Sequence, residues 1–202
     1  MNKNYEKYAT LQKNNAEHLF NIVKNLSYET VLDVGAGTGF LSKYFNNCIS
    51  LDIDKSLKTY HKKFVVGEAE HLPFKDKSFD LTISNFALHL CDVELSIKEM
   101  IRVSKQYVAC SFPINGSLEG WIYNFPEENT VLELLKSKNI KVLEKTIYSI
   151  KFTNLELLKF INTTGKPKRI HAKNFISKSQ IKDILVKIEN PYFIVLSFLL
   201  EV

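Results

Sequence analysis

The chain of 202 residues is 45% hydrophobic and 24% charged, an ordinary composition for one domain that buries roughly 70% of the surface its unfolded chain exposes. No apolar run approaches the roughly 18 residues of a membrane span, and Met1 to Tyr8 is polar with no apolar leader segment behind it, so a cytoplasmic protein without a membrane partner is expected. Lys plus Arg number 27 against 22 Asp plus Glu, a formal charge of +5; a lysine-rich solvated surface accounts for it as readily as an acidic partner does, and charge alone does not identify a nucleic-acid binder.

The periodicity of Leu11, Ala16, Leu19, Phe20, Val23 and Leu26 predicts an amphipathic helix over Thr10 to Leu26. Thr30 to Val34 reads as the first strand, broken by Gly35, Gly37 and Gly39, after which Phe40, Leu41, Tyr44 and Phe45 form a helical stripe. Further strands are expected over Cys48 to Ile53, Phe64 to Val66, Phe79 to Phe86 and Tyr107 to Phe112, with a helix over Val93 to Val103. Strands alternating with helices predict a parallel sheet covered on both faces, with a ligand at the strands' carboxyl ends. Beyond Phe112, Leu118 to Phe125 and Val131 to Lys138 look helical, Lys141 to Phe152 alternates as a long strand, and Leu155 to Ile161 is helical again. Gly165 to Lys173 is a basic loop, Ile181 to Ile188 a helix, and Tyr192 to Val202 a final strand. The expectation is one domain over residues 1–202 in which 153–190 form a substrate-covering cap.

Cys48, Cys91 and Cys110 lack C-x-x-C spacing and lie in or beside apolar runs, which predicts buried thiols rather than disulfides or a zinc site. The five histidines are scattered without metal-ligand spacing, and no metal site is expected.

Val31-Leu32-Asp33-Val34-Gly35-Ala36-Gly37-Thr38-Gly39-Phe40 is the most informative stretch. Its glycines are spaced G-x-G-x-G, whereas a dinucleotide fingerprint wants G-x-G-x-x-G, and Phe40 stands where that third glycine would fall. A turn without side chains bends sharply and lets a ligand lie against the backbone, and an amino-acid-like ligand suits it better than a diphosphate. At the end of the second strand, Asp52 is placed to accept from both hydroxyls of a ribose, and is preferred to Asp54 because it lies at the strand end. Ile53 can pack on an adenine face. After the third strand, Glu68 can accept from an adenine amine while the Ala69 N–H donates to the ring. Asn85, closing the fourth strand, offers its backbone carbonyl to the amine of a methionine moiety.

With VLDVGAGTGF, LDID, GEAEHLPF and FDLTISNFALHL following the first four strands in order, the sequence resembles the class I S-adenosylmethionine-dependent methyltransferases. That resemblance implies a Rossmann-like, doubly wound, mostly parallel seven-stranded α/β sheet with an antiparallel last strand and a helical cap, and S-adenosylmethionine as methyl donor. It places Asp33, Gly35, Gly37, Gly39, Asp52, Ile53, Glu68, Ala69 and Asn85 at the cofactor. Outside this core, Tyr5-Glu6-Lys7-Tyr8-Ala9-Thr10-Leu11-Gln12, Phe112-Pro113-Ile114-Asn115-Gly116-Ser117-Leu118 and Ile176-Ser177-Lys178-Ser179-Gln180-Ile181 look like the malonyl-acyl-carrier-protein O-methyltransferases of biotin synthesis. Ubiquinone and menaquinone C-methyltransferases share the LPF segment and are the competing resemblance.

The narrower resemblance implies methylation of a malonyl carboxylate on an acidic carrier protein, without a catalytic general base. Tyr5 and Tyr8 then cap the cofactor, with Gln12 near its carboxylate, although aromatic residues before a helix also serve as a hydrophobic staple. Arg169, with Lys166, Lys168 and Lys173, is the candidate for orienting the malonyl carboxylate or meeting the carrier; a solvated loop is the plainer reading. His89 either touches substrate or is a satisfied, partly buried histidine, and Trp121 either lines an acyl pocket or fills the core. Ser84-Asn85-Phe86-Ala87 lacks the prolines of a nucleic-acid amino-methyltransferase, and no Pro-Cys nucleophile is present there. A non-catalytic S-adenosylmethionine-binding module is the alternative of a different class.

Overall fold

The computed structural model describes residues 9–118, 125–149 and 192–202. The cap expected over 153–190, Tyr5, Tyr8, Trp121, Arg169 and the lysines beside Arg169 lie outside these residues. Among the described residues no helix is long and apolar enough to cross a membrane.

Helix α1 (Thr10–Val23) turns Ala16, Leu19 and Val23 inward together with two polar residues, Gln12 and Asn15. Strands β1 (Val31–Val34), β2 (Cys48–Asp52), β3 (Phe64–Val66) and β4 (Phe79–Asn85) follow. Helix α2 (Val93–Val103) leads directly into β5 (Ser104–Pro113), and α3 (Glu128–Leu135), β6 (Asn139–Ser149) and β7 (Tyr192–Glu201) complete the described elements. The sheet has seven strands in the order β3-β2-β1-β4-β5-β7-β6. β1 through β5 pair in parallel, and β7 is antiparallel to both β5 and β6. This is the doubly wound sheet with an antiparallel last strand that the motifs imply.

The central strands bury both faces, as a parallel sheet requires. Leu32, Val34, Val108 and Phe198 join Ile97 and Met100 of α2 and Val131 of α3 on one side. Val31, Leu81, Ile83, Ala109 and Leu199 join Ala16 and Leu19 of α1 on the other. Alternate residues thus feed opposite faces, the period-two signature of a strand. Asp80 ties the start of β4 to the entrance of β1. Its Oδ2 accepts from the Glu29 and Thr30 amides at 3.1 and 2.8 Å, and its Oδ1 from Lys105 at 2.9 Å. The Lys105 ammonium, with these amides, holds the carboxyl well below the usual carboxylate range.

Two of the places where the structure differs from the sequence expectation lie in helical segments. The helical stripe after the glycine turn forms only a 3-10 turn, Ser42–Tyr44, because residues 40–47 alone separate that turn from β2. The apolar residues still pack: Phe20 of α1 stacks on Tyr44 at 4.6 Å and meets Phe45 edge-on at 5.6 Å. Aromatic contact, rather than a helix face, explains the spacing. Helix α3 begins at Glu128, ahead of the expected Val131, because the chain turns into it directly after Pro126, and the Lys138 N–H closes its other end onto the Leu135 carbonyl at 2.8 Å.

Arg102, near the end of α2, fastens the segment that follows β3. Its Nε and Nη2 grip Glu99 at 2.6 and 2.8 Å, while Nη1 reaches Asp76 at 2.6 Å and the Phe74 carbonyl at 2.9 Å. Nη2 also donates to the Leu72 carbonyl at 3.1 Å, and Glu99 Oε2 accepts from the Leu72 amide at 2.9 Å. Arg102→Met keeps the stem and removes these charge-assisted bonds, and should cost about 2 kcal/mol. Thermal melts should fall by roughly 4–8 °C, whereas Lys98→Ala, which removes the exposed Lys98–Glu94 pair, should change the midpoint little. Equal shifts for both would remove Arg102 from this role.

Candidate functional site

β1 is flanked by β2 on one side and β4 on the other, so the chain winds outward in both directions from the β1/β4 junction. Ligands of doubly wound sheets lie at the carboxyl ends of the strands at such a switch point. A cavity of about 280 Å³ lies there, lined by residues following each of the first four strands. After β1 come Gly35, Ala36, Gly37 and Thr38; after β2, Ile53 and Asp54 beside Asp52; after β3, Gly67, Glu68, Ala69 and Glu70; after β4, Phe86, Ala87, Leu90 and Cys91 beside Asn85. Asp33 of β1 and Gln12 of α1 complete the polar lining.

Of the cofactor residues expected from the sequence and described here, Gln12, Asp33, Gly35, Gly37, Asp52, Ile53, Glu68, Ala69 and Asn85 line this cavity. Gly39 and His89 stand outside its described lining. The glycine turn is built from left-handed backbone, with Gly35 at φ +69° and Gly37 at φ +56°. At Gly35 a Cβ would run into the Cβ of Ala87, so the turn passes directly against the end of β4. The Gly35 and Ala36 amides both donate to the Leu51 carbonyl, at 2.8 and 3.0 Å.

Asp52 uses one lone pair of Oδ2 for the Gly37 amide at 3.0 Å and one of Oδ1 for the Asp54 amide at 2.9 Å. Each carboxylate oxygen keeps a further acceptor site for a ligand hydroxyl. Ile53 is 41% exposed, leaving an apolar face open at the same strand end.

On the side of the cavity formed by α1 and β1, several polar atoms have no hydrogen-bond partner among the described residues. Gln12 Oε1, both carboxylate oxygens of Asp33 and Thr38 Oγ1 are buried without a hydrogen-bond partner among the described residues, and all three residues line the cavity. Native structures leave few such groups, and four atoms sharing one cavity call for a ligand that donates. Burial pushes the Asp33 carboxyl up to about 7; the nearby Ser42 amide and hydroxyl offset this only in part without closing a good hydrogen bond, and the Asp52 charge adds to the rise.

Asn15, which the sequence reading passed over, supports this side from behind. Its Nδ2 donates to Asn85 Oδ1 and to Ser111 Oγ, both at 2.6 Å, and Asn85 Nδ2 donates to the Gln12 carbonyl at 3.0 Å. Its signal in the sequence is an amide spaced four residues from both Leu11 and Leu19, on the stripe that turns inward. Beyond Asn85, Phe86 adopts φ +54°, a costly conformation for a bulky side chain and one that clusters at functional sites. Phe86, His89, Phe125 and Phe193 form a closed ring of aromatic contacts at 5.8 to 6.1 Å. His89 is half-buried as a residue, but its Nδ1 is buried with no partner among the described residues, and burial pushes its pKa down to about 3. Burial likewise raises the Cys91 thiol, to about 12, which leaves it un-ionised at neutral pH.

Residues 32–111 match the family model described as a methyltransferase domain. A malonyl-[acyl-carrier protein] O-methyltransferase of Hamiltonella defensa is 34% identical over 112 residues, covering 50% of this chain and 43% of that protein. One from Buchnera aphidicola is 28% identical and covers 91% of this chain and 81% of that protein. The chain spans less than half the length of the first curated relatives it matches, 32% to 44%. A methyltransferase structure from Archaeoglobus fulgidus superposes with a TM-score of 0.60 at 18% identity, covering 98% of this chain and 97% of that one. The glycine turn, the acidic strand end and the donor-seeking pocket fit S-adenosylmethionine, the cofactor to which the motifs, the domain match and the fold all lead.

Proposed function

We propose that this chain, which resembles the class I S-adenosylmethionine-dependent methyltransferases in its motifs, its matched domain and its fold, methylates the free carboxylate of a malonyl thioester held on an acyl carrier protein. The observation that carries the cofactor half is the set of buried acceptors without a partner among the described residues, Gln12 Oε1 and the Asp33 carboxylate, in the lining of one cavity with the glycine turn and Asp52. When bound, S-adenosylmethionine supplies an electrophilic methyl group on sulfur.

Asp52 takes the ribose hydroxyls on its free lone pairs, Ile53 covers the adenine face, and Glu68 with the Ala69 amide reads the adenine edge. Asp33 and the Asn85 carbonyl receive the ammonium end, with Gln12 near the cofactor's carboxylate. Tyr5 and Tyr8 close the site over the cofactor.

A carboxylate is ionised at neutral pH, so the acceptor needs no general base. The protein's task is to bring the acceptor oxygen into line with the methyl group and to exclude water, catalysis by proximity and orientation. The strained Phe86 and the aromatic ring around His89 form the acceptor side, where the neutral imidazole presents Nδ1 to the thioester and Arg169 holds the carboxylate. The substrate choice is supported by the Y-x-x-x-A-x-L-Q and G-S-L segments and by the relatives named malonyl-[acyl-carrier protein] O-methyltransferase at 26% to 34% identity.

Mass spectrometry of carrier protein incubated with enzyme and S-adenosylmethionine tests the reading. Malonyl carrier should gain one methyl group and acetyl carrier, which has no free carboxylate, none. Methylation of both, or of neither, would overturn the substrate.

A further inference from the structure

We infer that His61, in the connection between β2 and β3, is a positioning residue for the cofactor: it holds the glycine turn in its binding shape from outside the cavity. The inference rests on reading that cavity as the S-adenosylmethionine site. His61 Nε2 lies 2.9 Å from the Gly37 carbonyl oxygen; a carbonyl only accepts, so Nε2 carries the proton. The Gly37 amide donates to Asp52 Oδ2 at 3.0 Å. The peptide groups on the two sides of Gly37 are therefore each held by a side chain from the same stretch of chain, one at its start and one near its end.

The imidazole is itself held in place. It stacks on Phe64, the first residue of β3, at 5.4 Å between centroids and 20° between planes, and the His61 amide closes the 3-10 turn Lys55–Tyr60 onto the Lys58 carbonyl at 3.2 Å. The ring lies close over the turn: a Cβ on Gly39, at φ +85°, would meet His61 Cε1 and Ser42 Oγ at 3.1 Å each. Gly39, outside the described cavity lining, thus makes room for the clamp rather than for the ligand.

The clamp has a physical reason. In strand-turn-helix sites the helix that follows fixes the turn's outgoing end through successive backbone bonds. Here the Gly39 amide closes a single turn onto the Ala36 carbonyl at 2.9 Å and only the 3-10 turn Ser42–Tyr44 follows, and among the described residues none of these backbone bonds reaches the Gly37 carbonyl. A side chain from the next connection takes over that restraint, and cofactor affinity becomes dependent on a residue that does not touch the cofactor.

The test compares His61→Ala, His61→Gln and His61→Asn. A glutamine amide can place an N–H near the Nε2 position, whereas asparagine reaches only as far as Nδ1. Alanine should weaken S-adenosylmethionine binding by about five- to tenfold, the loss of one partly exposed hydrogen bond, and should speed amide exchange at residues 35–39 of the cofactor-free protein while leaving β1 and β4 protected. Glutamine should restore most of the affinity and asparagine should not. Unchanged loop exchange in His61→Ala, or equal loss in the alanine and glutamine variants, would overturn the clamp. If the unaltered protein fails to bind the cofactor while His61→Ala still loosens the loop, the cofactor reading falls and the clamp stands.

Discussion

Gly35→Ala is expected to lower stability by about 2–5 kcal/mol and to abolish measurable S-adenosylmethionine binding. Two costs combine. The left-handed conformation at φ +69° penalises any Cβ by roughly 1–2 kcal/mol, and the new methyl group overlaps Ala87 Cβ in packed surroundings where overfilling costs about 1–3 kcal/mol. The turn cannot retreat easily, because the Gly35 and Ala36 amides are both bonded to the Leu51 carbonyl. The double variant Gly35→Ala/Ala87→Gly separates the two terms: it should recover the steric part and leave the backbone penalty. Calorimetric melts and cofactor titration of both variants check this, and full recovery in the double variant would mean that the φ angle contributes nothing.

Asp33→Asn should stabilise the cofactor-free protein at neutral and alkaline pH while weakening S-adenosylmethionine binding by about 10- to 100-fold. The carboxyl is raised from 3.8 to about 7 by burial, so the folded state holds this proton more tightly than the unfolded chain. Its stabilising effect is complete below about pH 4 and is lost as pH rises through about 7. Three pH units correspond to a ceiling of roughly 4 kcal/mol, and the amide still leaves polar atoms unpaired, so a net gain of about 2 kcal/mol above pH 7 is expected. The difference should vanish below pH 4. Binding moves the other way because an amide cannot neutralise an ammonium, and charge-assisted hydrogen bonds contribute about 1.5–3 kcal/mol. Stability given up for function at one residue is a recurrent trade in binding sites. A variant destabilised at pH 8 with unchanged affinity would remove Asp33 from the cofactor's ammonium.

The parts of this fold legible in the sequence are those where one local signal dominates. β1 and β4 are short runs buried on both faces, and the glycines after β1 mark a turn that only left-handed backbone can make. Asp52, Ile53, Glu68 and Ala69 were legible because each closes or lies within three residues of a strand whose end the topology places at the cavity. The connections were less legible. Phe40 to Phe45 carries a helical spacing, yet its aromatic residues serve Phe20 and Tyr28 across the layer, a contact that no local period reports. Asn15 and His61 act through residues about 70 and 24 positions away, and such pairings become visible only once the sheet order is known. For His89 the sequence leaves two roles open, and its Nδ1 has no hydrogen-bond partner among the described residues.

Calorimetric titration of S-adenosylmethionine into the protein tests the central claim most directly. One site per chain is expected, with micromolar affinity, competition by S-adenosylhomocysteine, weakening in Asp33→Asn and loss in Gly35→Ala. No saturable heat with the unaltered protein, or binding that both substitutions leave intact, would contradict the assignment of the β1/β4 cavity as the cofactor site.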